Sequence, residues 1–411
     1  MADNLDRAEA AMLRDIGGRE KAMVEQLMGW SSFNTGSRNI PGLREMADIL
    51  IEAFAPLGGE CGLHPPAAVE TIGPNGAHEF HDHGHNLRIS LHAGAPMRVM
   101  MVGHMDTVFG LDHPFQEARW REPGVLQGPG VADMKGGIGV MLSALLAFEA
   151  SPFAGRLGID VVINADEEIS SLGSAPLLAD VARNCQVGLA YEPSYLPDGT
   201  LAGARKGNGN FSLLVKGKAA HAGRNPGDGR NALVAAADLA VILSELPARR
   251  PSVLVNPARI DGGGPNNVVP DLAILRVNVR ADGADDVAWI EHRIDRAAEH
   301  VAARHEVKVE RRGGFNRPPK PLDDHQLSLF TLVRDCGRDI GLDLGWKSSG
   351  GVCDGNNLAA LGLAVVDTLG VRGGAIHSDR EYMFADSLVE RARLSALLLA
   401  RLAQGRWRPK A

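Results

Sequence analysis

The chain has 411 residues, of which 45% are hydrophobic and 23% charged, with a formal net charge of −7. This length suits about two domains of roughly 100–200 residues and a core that needs no staples. The acidic balance argues against a nucleic-acid partner, which calls for a basic surface.

Four scattered cysteines, Cys61, Cys185, Cys336 and Cys353, form no C-x-x-C pair. This excludes a zinc-thiolate knot or redox dithiol and suits a reducing compartment. The opening MADNLDRAEAAMLRD has no apolar leader core, and no run of 18 apolar residues occurs, so a cytoplasmic protein with no membrane span is expected. The basic tail 406–410 is expected to be a solvated terminus.

Residues 5–29 are predicted as a helix of mixed polarity, and 41–57 as an amphipathic helix opened by Pro41 and closed near Gly58. Residues 86–92 alternate like a strand, and 98–102 (RVMMV) form a continuous apolar run, as in a buried parallel strand. An apolar helix over 136–150 and buried strands at 157–164 and 187–191 complete an alternating α/β pattern.

The pattern then changes. Strands are predicted at 210–215, 252–260, 271–279 and 306–311, with helices at 230–246 and 285–304. This β-α-β-β-α-β order is the ferredoxin-like arrangement. Residues 207–316 are therefore expected to be an inserted domain, with 1–206 and 317–411 forming the first. The α/β pattern resumes with helices at 324–341 and 386–404 and a strand near 363–368.

Polar residues with chemical potential fall after these strands. His104 and Asp106, in GHMDT, are two apart and share a face in extended backbone. A carboxylate so placed can hold a metal-binding imidazole in one tautomer, although a strand-end histidine can equally be a hydrogen-bonded core residue. Asp133 sits in the glycine-rich GPGVADMKGG, which lacks the P-loop spacing; its plain alternative is a helix N-cap. Asp166, Glu167 and Glu168 follow a buried strand, either as a solvated acidic turn or as acids that need a cation. Glu192 ends another strand, and His377 follows a glycine-rich stretch. His104, Asp133, Glu168, Glu192 and His377 make an all-nitrogen-and-oxygen donor set, suited to zinc, manganese or cobalt. Five ligands exceed one zinc ion's needs, and a carboxylate shared between two ions about 3.5–4 Å apart accounts for the surplus.

The segments GHMDTV, GPGVADMKGG, ADEEISSLGS, YEPS, GKAAHAG, NNVVP and HSDREYM, in this order over residues 103–383, resemble the co-catalytic zinc family of acetylornithine deacetylase, succinyl-diaminopimelate desuccinylase, aminoacylase and glutamate carboxypeptidase. The glutamate carboxypeptidase branch is the nearest, through ARKGNGNFSLLVKGKAAHAG and HSDREYM. The resemblance implies a zinc-peptidase-like three-layer α/β domain carrying a ferredoxin-like insertion that closes over the substrate and forms a homodimer. It also implies two divalent ions, with His104 and Glu192 on one, Glu168 and His377 on the other, and Asp133 bridging. Glu167 would be the general base acting on a metal-bridging water, and Asp106 would orient His104. His221 would stabilise the oxyanion, reaching into a partner subunit in dimeric relatives. Arg280 and Asn267 match positions that contact the substrate carboxylate, with the backbone N–H groups of Gly350 and Gly351 as helpers and Arg312 and Arg317 as further candidates. The peptide after Asp133 is expected to be cis.

The implied reaction cleaves an amide bond next to a free carboxylate in an N-acyl amino acid or peptide-like substrate. A biosynthetic deacetylase or desuccinylase is the alternative within enzymes, and a catalytically dead binding homologue the alternative outside them. Glutamate at position 192 resembles aminoacylases and carboxypeptidases, whereas aminopeptidase members tend to have aspartate, so no substrate amine is expected to be required. The run 78–85 (HEFHDHGH) looks metal-binding but matches no family ligand and is expected to be an exposed loop. Cys353 is expected to be a small buried residue with no nucleophilic role.

Overall fold

The strand Arg98–His104 organises the molecule, described in this computed structural model over residues 5–409. Val99 and Met101 point into one core, Met100 and Val102 into another. A strand apolar on both faces belongs inside a sheet covered by helices on both sides. Six strands lie in the order Glu60–His64, Asn86–Leu91, Gly158–Asn164, Arg98–His104, Val187–Ala190 and Ala364–Val366. Pairings among the last four are parallel, and those of the first two antiparallel. Helices Lys135–Glu149 and Asp386–Ala403 cover one face, and Ala175–Ala182 and Asp354–Ala360 the other. The layering is the expected α/β class.

A second sheet has its own core. The strands Val253–Gly262, Leu272–Ala281, Gly207–Lys216 and Lys308–Arg317 lie side by side in that order, all antiparallel. Helices Ala232–Ser244 and Ala284–His305 pack on one face around Phe211, Leu239, Leu275, Ile290 and Ile294. The other face carries Leu272, Ile274, Arg276, Asn278 and Arg280, the alternate residues of one strand.

Four local expectations are corrected. Residues 5–29 form two helices, Arg7–Gly17 and Glu20–Ser31, because adjacent Gly17 and Gly18 each cost a helix about 1 kcal/mol relative to alanine. The histidine-rich run is not all loop: His78–His81 is a strand paired with Val69–Ile72, and His83 is buried. Nor is the basic tail fully solvated: Trp407 is buried and its Nε1–H donates to Ser328 at 2.8 Å, while Lys410 lies outside the described residues. The expected strand at 306–311 runs further, from Lys308 to Arg317. Among the described residues no helix is long and apolar enough to cross a membrane.

Candidate metal centre

His104 is the last residue of the central strand and Asp133 precedes the helix Lys135–Glu149. Glu167 and Glu168 open a single turn after the strand Gly158–Asn164, and Glu192 follows Val187–Ala190. All converge at the carboxyl ends of parallel strands, where α/β sheets place their sites. His377 arrives from a loop with a left-handed backbone, φ 60°.

Asp133 lies between the two imidazoles. Its Oδ1 is 3.1 Å from His104 Nε2 and its Oδ2 3.2 Å from His377 Nε2. Glu192 Oε2 is 3.8 Å from His104 Nε2, and Glu168 Oε2 is 3.1 Å from His377 Nε2. Asp133 does not cap the helix: the N-cap position is Met134, without a side-chain bond, and the Asp133–Met134 peptide is cis.

The tautomer of His104 is set from behind, where Nδ1–H donates to the Asp106 carbonyl at 3.0 Å and leaves Nε2 facing the cluster. The Asp106 carboxylate accepts the Glu167 N–H at 3.1 Å, the Glu168 N–H at 3.2 Å and the Ser37 hydroxyl at 2.7 Å. One buried aspartate thus positions both the histidine and the glutamate turn.

Electrostatics mark the same residues. Burial pushes Glu168 up to about 7, helped by the charge of Asp133. Burial also raises Glu192, and raises Glu167 well above the carboxylate range although the Arg317 guanidinium opposes it. At Asp133 burial is outweighed by His104 and His377, and its pKa is lowered. Bonds to Asp133 and Glu168 raise His377 to about 11. Four acids packed around two imidazoles carry a surplus of negative charge, which buried sites relieve with a cation. His104, Glu167 and Glu192 offer ligand atoms within 4.8 Å of one another, as do His104, Asp133 and Glu168. The donor set therefore fits divalent metal ions.

A cavity of about 430 Å³ opens on Asp133, Glu167, Glu168, Glu192 and His377. Arg280, from the second sheet, also lines it, and its buried Nη1 has no hydrogen-bond partner among the described residues. Gly351 and buried Cys353 line it too, whereas exposed Gly350 does not. Burial raises the Cys353 thiol well above its ordinary range, which suits a packing role. His221 and Asn267 lie together at the second sheet, with Ala222 N–H donating to the Asn267 carbonyl at 2.9 Å, but both are exposed and neither lines this cavity.

The two further arginine candidates differ in placement. Arg312 is exposed, 3.8 Å from Glu310. Arg317 is buried and bonded to Glu167, Ser171 and Asp354, which places it directly behind the proposed base.

Other buried groups were missed. Glu381 accepts the N–H groups of Gly130, Ala132 and Asp133 at 3.3, 2.9 and 3.0 Å, and burial pushes it up to about 8. The signal available was a glycine-rich loop whose consecutive N–H groups need an acceptor. Lys135 donates to the Trp30 and Phe33 carbonyls. Arg205 lines the cavity and pairs with Asp367 at 2.8 Å.

A layered sheet with this donor cluster at its strand ends is the framework of a metal-dependent hydrolase. The chain belongs to the Peptidase family M20/M25/M40, whose model matches residues 100–401. It is 30% identical over 316 residues to carboxypeptidase G2 of a Pseudomonas species, covering 75% of this chain and 74% of that protein. It is 30% identical over 291 residues to succinyl-diaminopimelate desuccinylase of Afipia carboxidovorans, covering 64% of this chain and 73% of that protein. Among solved structures, a Staphylococcus aureus tripeptidase matches with a TM-score of 0.73 at 21% identity, over 94% of this chain and 99% of that one. An M20 family metallo-carboxypeptidase from Sulfolobus solfataricus matches at 0.69 and 14%, over 93% and 99%. These two likenesses concern the fold alone.

Proposed function

We propose that this hydrolase holds two divalent ions, zinc in the first place, and cleaves an amide bond next to a free carboxylate. The observation that carries this reading is the placement of Asp133, one oxygen toward His104 and the other toward His377. His104 and Glu192 would hold one ion, Glu168 and His377 the other, and Asp133 both. Such ions, when bound, supply Lewis-acid polarisation and activation of water.

The chain's own residues supply the proton traffic and the positioning. Glu167 also lies within ligand distance of His104, so proximity alone gives it either duty. Its Oε1 is held by Arg317, which favours the base: the other oxygen takes the proton of the attacking water and passes it to the leaving amine nitrogen. His221 Nδ1 accepts the Gly223 and Arg224 N–H groups at 3.0 and 3.1 Å, which leaves Nε2–H free to donate to a developing oxyanion. Because His221 and Asn267 stand off their own chain's cavity, they would act in a partner subunit. Arg280, with a buried N–H on the cavity wall that has no partner among the described residues, suits the substrate carboxylate, with the Gly351 backbone beside it.

The chain divides, in this reading, into 1–206 with 317–411 and an inserted 207–316. Homodimerisation would use the insertion, whose edge strand Val253–Gly262 and neighbouring helix expose Leu254, Val234 and Val241. A monomer in sedimentation at micromolar concentration counts against both the dimer and His221 acting in trans. A cytoplasmic location rests on the sparse, unpaired cysteines.

Carboxypeptidase G2 and the desuccinylase are relatives of equal identity. The carboxypeptidase-like reading is preferred for its larger coverage and for Glu192, which favours substrates without a free amine. Equal turnover of free-amine dipeptides and N-acyl amino acids contradicts that preference. Glu167→Ala tests the whole assignment: turnover is lost while metal content stays near two per chain, and retained turnover removes Glu167 as the base.

A further inference from the structure

We propose that a second cavity, beside Glu168 and walled by Val108, Leu111 and Ile169, is the subsite for the acyl group of the substrate, and that it takes a bulky apolar acyl chain or ring. This assignment rests on the function proposed above, with Arg280 as the partner of the substrate carboxylate.

The cavity has a volume of about 380 Å³. Glu168 is the one residue that lines both this space and the cavity that carries Arg280. The two spaces therefore adjoin at the metal centre, with Glu168 between them. A substrate whose carboxylate lies at Arg280 has its scissile carbonyl at the donor cluster. Its acyl group leaves the carbonyl carbon on the side away from the amine nitrogen, and the space past Glu168 receives it.

The walls of this space are fixed. Leu111 is 67% exposed and Val108 42%, in a loop whose Phe109 is buried. Phe109 anchors that loop, its ring centroid 5.1 Å from those of both His113 and Phe115. The facing segment, 36–39, is stitched to the same loop. Thr107 N–H donates to the Thr35 carbonyl at 2.9 Å and Ser37 N–H to the Thr107 carbonyl at 3.2 Å. The Asn34 amide donates to the Phe109 and Gly110 carbonyls, each at 3.1 Å. A side-chain carbon at Gly36 would fall 2.5 Å from the Phe109 carbonyl oxygen, so only glycine lets the two segments approach this closely.

The polar side chains of the wall are largely engaged with the protein. The Ser37 hydroxyl donates to Asp106 at 2.7 Å. The Asn39 amide donates to the Asn34 carbonyl at 2.8 Å, and its oxygen accepts the Gly42 N–H at 3.3 Å. Arg38, which is exposed, donates Nη1 to the Asp82 carbonyl at 3.1 Å. The surface left to meet a ligand past Glu168 is mainly that of Val108, Leu111 and Ile169. A preformed space with apolar walls beside a reactive centre is a binding site for an apolar group. At about 30 Å³ per water-sized group it holds roughly a dozen non-hydrogen atoms, far more than an acetyl group needs.

The test compares N-acetyl-, N-succinyl-, N-hexanoyl- and N-benzoyl-glutamate as substrates of the purified, metal-loaded protein. Wild-type kcat/KM is expected to be at least about tenfold higher for the hexanoyl and benzoyl compounds than for the acetyl one. Leu111→Asn and Val108→Asn, both at exposed positions that tolerate substitution, each lower the hexanoyl-to-acetyl ratio about fivefold, whereas Leu111→Met keeps it. A wild-type ratio near one, or a ratio unmoved in both Asn variants, overturns the subsite and leaves the hydrolase standing. Preference for the succinyl compound that is lost in Arg38→Ala overturns the apolar assignment in favour of an acid held at Arg38. Cleavage of none of the four, with zinc, manganese or cobalt supplied, defeats the proposed function itself, and the subsite falls with it.

Discussion

Arg317 grips Glu167 from inside the protein, its Nη2 donating to Oε1 at 2.7 Å. Burial raises the pKa of Glu167 and the Arg317 charge opposes it. Glu167 must be ionised to accept a proton, so Arg317→Met moves the acid limb of kcat/KM to higher pH, by about one unit or more. Arg317→Lys keeps the charge and returns part of the shift. An unmoved limb in the pH-rate profile of Arg317→Met contradicts the assignment.

Metal binding should release protons. Glu168 titrates at about 7 and His377 at about 11 in the metal-free protein, whereas ligation needs a carboxylate and a neutral imidazole nitrogen. At pH 6 both groups carry protons that binding must displace; at pH 8 Glu168 has already lost its own. Affinity therefore rises from pH 6 to pH 8, with fewer protons released at the higher pH. Calorimetry in buffers of different ionisation enthalpy measures this, and pH-independent affinity without proton release removes Glu168 and His377 from the ligand set.

Asp367 is fully buried between Arg205 Nε at 2.8 Å and Lys320 Nζ at 3.0 Å. Burial alone would raise its pKa, but the two cations outweigh it and the value is lowered. A depressed folded-state pKa gives stability that is present above the unfolded value of about 3.9 and is lost as pH falls through the folded one. Asp367→Asn leaves two buried cations short of a counter-charge and should cost about 3–5 kcal/mol at neutral pH. A denaturant midpoint that reports a loss under about 1 kcal/mol contradicts this account.

What the sequence disclosed follows from how the information is stored. The five proposed donors and Glu167, which the structure brings together, could be singled out because each lies in a local motif after a strand or a glycine-rich turn. Arg98–His104 was legible because a strand covered on both faces reads as an unbroken apolar run. The groups that hold the donors in place were not. Glu381 meets Asp133 across 248 residues and Arg317 meets Glu167 across 150, and no periodicity records such pairs. His83 was hidden by its neighbours, since only one histidine of an otherwise exposed-looking run turns inward to Asp166. Short strands such as Val125–Gln127 and Tyr382–Phe384 are too brief to show alternation.

The most direct test of metal-dependent amide cleavage next to a carboxylate is amine release from a panel of N-acyl amino acids and C-terminal glutamate or aspartate conjugates, with and without chelator. The account predicts that some members are cleaved, that chelator abolishes cleavage, and that zinc, manganese or cobalt restores it. Cleavage indifferent to chelator, or none of the panel cleaved with each metal supplied, contradicts it.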